Sequence, residues 1–240
     1  MSELAGREAM RVVRALQSEF PSGPPKTGSA FALRGGQLVT CAHVVRNDSG
    51  ETAKRIRVRL PNGGQYEATV AAVADSFDLA RLEAPAETEG VTVDVDLPPV
   101  GRPLVFAGQP QGVVVLSVFP GMVSAVGPGL LQAPRCDLIQ LAGMINNGNS
   151  GGPLFDGVSG RLLGVITAKY VPLLQQIDRM VQDFEKIPQF PSAVGVQGVD
   201  FGRFVNLTIK SLWQVAAVLR LVQVGTGWAI PSKYLERVGA

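Results

Sequence analysis

Ser150 sits in Asn147-Gly148-Asn149-Ser150-Gly151-Gly152-Pro153-Leu154, between the apolar runs 138–145 and 162–166. Glycines around a single serine read as a tight turn, because a residue without Cβ accepts backbone conformations closed to others. Such a turn can expose the hydroxyl while neighbouring N–H groups converge on one spot, which is what an activated nucleophile with an oxyanion site needs. An ordinary Gly-rich hairpin has the same composition, so the serine means little without a base. The chain has one histidine, His43. It lies in Val39-Thr40-Cys41-Ala42-His43-Val44-Val45, after a predicted strand and among small apolar neighbours that draw it toward the interior. Asp78 opens Asp78-Leu79-Ala80-Arg81-Leu82. Asp48 and Asp75 are rival carboxylates, but Asp78 directly precedes the apolar run and is the best placed to be carried inside. A histidine acting as general base, oriented by a carboxylate, is the chemistry these types support.

The elements that must position them are short strands. Segments 29–33, 37–40, 55–60, 66–74 and 79–82 alternate or run apolar between Gly, Pro and Asn turns. A second group follows at 104–107, 112–118, 121–126, 137–141, 152–155, 162–168 and 227–230, beyond an acidic, Pro-rich stretch at 85–100. Two strand-rich halves joined by a linker predict two barrels with a cleft between them. Residues 3–20 carry Ala9, Val12, Val13, Leu16 and Phe20 at helical spacing, so a helix is expected there, ended by Pro21. Residues 171–223 break the strand pattern. Leu173 to Ile187 and Phe204 to Val224 are periodic as helices, and Lys210 and Arg220 keep the second run short of a membrane span.

The order His43, Asp78, Ser150 is that of the chymotrypsin triad, not of subtilisins or α/β-hydrolases. The motifs around these residues, with Gly225-Thr226-Gly227-Trp228-Ala229-Ile230-Pro231, resemble the trypsin-like serine peptidases, and within them the bacterial HtrA/Deg branch. The resemblance covers about residues 28–170 and 224–234. It implies a mainly β fold of two six-stranded antiparallel barrels of chymotrypsin type, here with an N-terminal helix and a helical insertion. The implied layout is 1–27 for helix and linker and 28–240 for the peptidase domain. Within that domain the first barrel is about 28–84, the second about 101–170 and 224–231, and the insertion about 171–223. The resemblance implies Ser150 as nucleophile, His43 as base and then acid, and Asp78 as orienting group. The backbone N–H groups of Gly148 and Ser150 would form the oxyanion site. It sets Met144 near the floor of a specificity pocket and Thr167, Ala168, Lys169 and Gly227 along its walls. Without a carboxylate on that floor, a small or medium apolar side chain such as Val, Ala or Leu is expected before the scissile bond.

Three departures qualify the likeness. The chain as given leaves no room for the PDZ domain of the branch. The insertion at 171–223 is large for this place. Asn149 stands where trypsins carry an aspartate, so a neutral amide cannot make the zymogen-activating ion pair with a new N-terminus.

The formal charge of +2 over 240 residues points to a protein or peptide substrate and away from nucleic acid. Two cysteines and no apolar core in residues 1–20 lead to the expectation of a cytoplasmic protein with free thiols. One histidine and two cysteines far apart in sequence form no usual metal site, and no glycine loop for a phosphate is present, so neither metal nor cofactor is expected. The insertion is the candidate contact for a regulatory partner or a membrane surface, and oligomers are compatible with the chain. A catalytically gated or inactive peptidase-fold binding module, with the insertion covering the cleft, is the competing reading.

Overall fold

The computed structural model describes residues 3–85, 87–91, 93, 95–110, 115–128, 136–169, 183, 195–196, 199–219 and 224–240. The chain divides into two units, 1–170 with 224–240, and 171–223.

The N-terminal segment departs from the expected single helix. Helix α1 spans Glu3–Val12 and then gives way to strand β1, Val13–Glu19. The physical reason is pairing. The first barrel needs a sixth strand between β2 (Lys26–Leu33) and β4 (Arg55–Arg59), whose edges would otherwise be open. β1 pairs with both, placing Ala15 opposite Ser29 on one side and Arg59 on the other. Tertiary pairing outweighs a local helical stripe. The first barrel therefore begins at residue 13 rather than 28, and the expected linker at 21–27 shortens to the turn before Lys26. Ala5, Ala9 and Val12 are the buried face of α1, which packs on strands of the second barrel.

β3 (Gln37–Thr40), β5 (Gln65–Ala74) and β6 (Leu79–Glu83) complete the first barrel in the order β1-β2-β3-β6-β5-β4, closed by β1 against β4. The second barrel uses β7 (Pro103–Gly108), β8 (Ser117–Pro128), β9 (Asp137–Ile145), β10 (Pro153–Asp156) and β11 (Leu162–Lys169). Its last strand, β14 (Val224–Pro231), follows a small hairpin of β12 (Gly195–Val196) and β13 (Val199–Asp200). The order is β10-β11-β14-β9-β8-β7, closed by β10 against β7. The expected strands at 112–118 and 121–126 are corrected here. Residues 111–114 lie outside the described residues, and from Ser117 onward one strand, β8, runs through Pro120 and Gly121, which pair with Val105 and Leu104.

One apolar core fills the first barrel with Phe31, Leu38, Val39, Ile56, Val58, Leu79 and Leu82, and continues into Val105, Phe155, Val165 and Ile230 of the second. A smaller core of Leu104, Phe106, Ile139, Leu141, Leu154 and Ile166 fills the second barrel. The first is also tied by charge. Arg14 of β1 is 1% exposed and meets Glu87 twice, at 2.6 and 2.8 Å, while Tyr66 Oη donates to the same carboxylate. Burial pushes the Glu87 carboxyl up, but the Arg14 and Tyr66 hydrogen bonds outweigh it and hold it below the ordinary range.

In unit 171–223 the hairpin leads into helix α3, Phe201–Leu219, where Asp200 Oδ1 accepts from the Arg203 N–H as an N-cap. Phe204, Leu207, Trp213 and Val215 of α3 are exposed. The expected helix from Leu173 to Ile187 lies outside the described residues, apart from Asp183. Among the described residues no helix is long and apolar enough to cross a membrane.

Candidate active site

β3 ends at Thr40, and the chain turns at once into the short helix α2, Ala42–Val45, which carries His43. The turn is fixed from below: the Ala42 N–H donates to Asp78 O, and the His43 N–H donates to Asp78 Oδ1 at 3.0 Å. Asp78 itself sits between the 3-10 turn Asp75–Phe77 and β6, with φ 52° and ψ 41°. Among the described residues it is the only non-glycine with positive φ. Aspartate tolerates this left-handed conformation better than most residues, and such strain, of order 1–3 kcal/mol, concentrates at functional sites. The effect is to bring the carboxylate back under the imidazole. His43 Nδ1 lies 2.8 Å from Asp78 Oδ2 and 3.0 Å from Oδ1. An Nδ1–H donated to the carboxylate leaves the Nε2 lone pair free to take a proton.

Asp78 receives a further hydrogen bond from the Thr167 hydroxyl of β11. Burial pushes its carboxyl up. The imidazole hydrogen bond and charge, the Thr167 hydroxyl and the His43 N–H act the other way, and the net result is a carboxyl held below its ordinary value. Asp78 is thus an anion whose contacts converge on one geometry.

The Ser150 turn follows β9 and precedes β10. Gly151 has φ +85°, and a Cβ there would lie 2.0 Å from Ser29 O and 2.3 Å from Thr40 Oγ1, so only glycine fits. Gly148 is also in the left-handed region, at φ 94°. Ser29 of β2 clamps this turn to the first barrel. Its hydroxyl donates to Gly148 O at 2.7 Å, and its N–H donates to Ser150 O at 2.8 Å. Among the described residues the N–H groups of Gly148 and Ser150 have no partner, so both donors are free for an incoming anion. The Ser150 hydroxyl donates to Thr167 O at 2.9 Å. Asn149 is fully buried, and its side-chain amide makes no hydrogen bond among the described residues.

His43, Asp78 and Ser150 are brought into one network. Thr167 joins them, its hydroxyl on the aspartate and its carbonyl under the serine. The side chain of Thr167, expected on a pocket wall, is committed to Asp78 and is 2% exposed. Met144 stands near the end of β9 and is half-exposed. Gly227 of β14 pairs with Leu141 of β9 on one side and Lys169 of β11 on the other, and Ala168 pairs with Trp228, so these residues come to three adjoining strands.

Two contacts at the site were not expected from sequence. One is the Thr167 hydroxyl on Asp78, in place of a pocket wall. The other is Cys41, fully buried, whose thiol donates to Ile166 O at 3.3 Å. Burial, and then the Asp78 charge, push this thiol well above its ordinary range. Cys41 Sγ, a ring nitrogen of His43 and an Asp78 oxygen all lie within 4.8 Å of one another. Folding thus brings the Asp78 carboxylate against a Cys and a His that are two residues apart in sequence.

This geometry agrees with the comparisons to known proteins. The rat protein "Serine protease HTR4" is 34% identical over 161 residues, 61% of this chain and 30% of its own length. "Protease Do-like 1, chloroplastic" from Arabidopsis thaliana is 33% identical over 165 residues, 64% of this chain and 35% of its own length. The chain therefore spans about a third of the length of these relatives. The solved structure "HtrA-type protease AlgW with tripeptide" superposes with a TM-score of 0.65 at 25% identity, covering 98% of this chain and 61% of that one. The family description "Trypsin-like peptidase domain" matches residues 28–165, more than half of the sequence, and the chain belongs to that family.

Proposed function

We propose that this chain is a serine endopeptidase that hydrolyses peptide bonds through an acyl-enzyme on Ser150. The observation that carries the reading is the Thr167 bridge, which ties the anion under His43 and the Ser150 hydroxyl into one hydrogen-bonded unit. In the reaction His43 Nε2 takes the serine proton as Oγ attacks the carbonyl, and the Gly148 and Ser150 N–H groups hold the oxyanion. His43 then returns the proton to the leaving amine, and water repeats the sequence to free the enzyme. Asp78 keeps the imidazole in the tautomer that has Nε2 unprotonated. An apolar side chain of small or medium size before the scissile bond suits Met144 and the absence of a carboxylate at that position. The test is cleavage of an unfolded protein and a peptide library by wild type and Ser150→Ala. Equal rates in the two proteins would remove the reading, and a profile dominated by cleavage after Arg or Lys would remove the specificity assignment.

One observation favours a gated form of the same enzyme. The Ser150 hydroxyl faces the Thr167 carbonyl, so its proton is not directed at His43 and the side chain must turn before attack. A partner or surface acting on unit 171–223, through exposed residues such as Phe204 and Trp213, is the proposed trigger. Fluorophosphonate labelling of Ser150 that is fast without any partner argues against gating. Cys41 and Cys136 are free and buried, which suits a reducing compartment and supports a cytoplasmic location. Fractionation of cells bearing the tagged full chain checks it.

A further inference from the structure

We propose that Cys41, His43 and Asp78 form a binding site for a thiophilic divalent cation, zinc by chemistry, and that its occupation switches off the base. The donor set is a thiol, an imidazole and a carboxylate, the three side-chain types that zinc takes. Their ligand atoms lie within 4.8 Å of one another. Tetrahedral zinc, with bonds of about 2.3 Å to sulfur and 2.0 Å to nitrogen or oxygen, sets its ligands about 3.3–3.5 Å apart. His43 Nδ1 and Asp78 Oδ2, now 2.8 Å apart, would separate by roughly half an ångström, and Cys41 Sγ would close by at most about 1.3 Å. The His43 side chain is 47% exposed and that of Asp78 19%, so the imidazole can swing outward and admit the ion to the buried sulfur.

The charges close. A dication with one thiolate and one carboxylate is neutral overall, which a buried position tolerates. One proton leaves the Cys41 thiol for water, since a coordinating thiol binds as thiolate. The imidazole proton moves from Nδ1 to Nε2 as the metal takes the Nδ1 lone pair. That tautomer has no lone pair on Nε2 and cannot accept the proton of Ser150. The ion also takes the carboxylate that orients the ring. Binding therefore excludes catalysis, although no substrate contact is blocked. The inhibition rests on the peptidase reading, but the binding does not.

The test uses the full chain with Ser150→Ala, so that self-cleavage plays no part, titrated with cadmium as a spectroscopic stand-in for zinc. One equivalent is expected, with the ultraviolet thiolate-to-metal charge-transfer band. Cys41→Ala should abolish that band, His43→Ala should weaken binding by at least about tenfold, because one of three protein ligands is gone, and Cys136→Ala should leave both unchanged. His43 is exposed, so its variant carries the test if Cys41→Ala fails to fold. A band that survives Cys41→Ala, or an affinity unmoved by His43→Ala, overturns the site. In wild type, zinc should inhibit peptide hydrolysis along the same binding curve, and a chelator should restore it. A wild type that hydrolyses nothing when free of metal, yet develops the Cys41 band when cadmium is added, sinks the peptidase reading and leaves the metal site standing.

Discussion

The first barrel holds His43 and Asp78 by bonds from several directions, whereas the second presents Ser150 on a turn whose hydroxyl points at a carbonyl. On the first side Asp78 takes hydrogen bonds from the imidazole, from the His43 N–H and from Thr167. On the second side, among the described residues, the N–H groups of Gly148 and Ser150 have no partner and the Ser150 hydroxyl donates to Thr167 O. In the proposed mechanism the base half is held by one backbone N–H and two side chains, and one of these, Thr167, comes from the second barrel. The nucleophile half is completed by one side-chain rotation, which needs no rebuilding of the turn because Ser29 pins it at two points. In the proposed mechanism, control is therefore easiest to exert on the serine side, while damage is hardest to repair on the aspartate side.

Substitutions that break each half differ in size. Ser150→Ala should lower kcat by about a million-fold on an unfolded protein substrate, since loss of a triad nucleophile leaves only binding and the oxyanion donors. Thermal unfolding should barely move, because Gly151 and Ser29 hold the turn. Asp78→Asn should cost about ten thousand-fold. An amide that donates to Nδ1 turns the ring to the tautomer with Nε2 protonated. A loss below tenfold would show that the bonds around Asp78 serve folding alone.

The third test leaves the triad and asks what supports the base side. Arg14 and Glu87 are a buried pair in the first barrel. Glu87→Gln leaves the Arg14 charge uncompensated and should destabilise the protein by about 3–5 kcal/mol, read by denaturant unfolding. The folded-state Glu87 carboxyl lies below its ordinary value. Its contribution to stability is therefore complete above the unfolded value, about 4.3, and disappears as pH falls through the folded one. The gap between the variant and wild type should be widest at neutral pH and narrow as pH falls below the unfolded value, because wild type loses this contribution on the way down to the folded one. A uniform loss at all pH values would remove the ion pair as the cause.

What could be read from the sequence has a physical boundary. The Ser150 turn was legible because glycines mark a backbone that cannot carry a Cβ, and Gly151 against Ser29 O is such a place. His43 was legible because no other histidine competes, and Asp78 because its apolar successors become β6. The barrels and the start of the insertion followed from where strand periodicity stops. β1 was hidden because its stripe also fits a helix, and only the open edges of β2 and β4 decide between them. Pro120 and Gly121 suggested a break in β8 that pairing with β7 overrides. Thr167 and Cys41 were invisible as partners of Asp78 for another reason: nothing local to β11 or β3 states which distant carboxylate they will meet.

Thr167 gives the smallest effect and the most informative one, because it serves both halves with different atoms. Thr167→Val removes the hydroxyl from Asp78 but keeps the backbone carbonyl that accepts from Ser150. A hydrogen bond to a charged group is worth about 1.5–3 kcal/mol, so kcat should fall by roughly ten- to a hundredfold if that bond orients the carboxylate in the transition state. Losing a contact that lowers the Asp78 carboxyl should raise it, and the acid limb of stability should move to higher pH. Thr167→Ser restores a hydroxyl at the same carbon and should recover most of the rate. If valine instead speeds labelling of Ser150 by a fluorophosphonate, the hydroxyl works chiefly by holding β11 where its carbonyl restrains the serine. The difference between the two barrels then reduces to one residue that orients the base and parks the nucleophile.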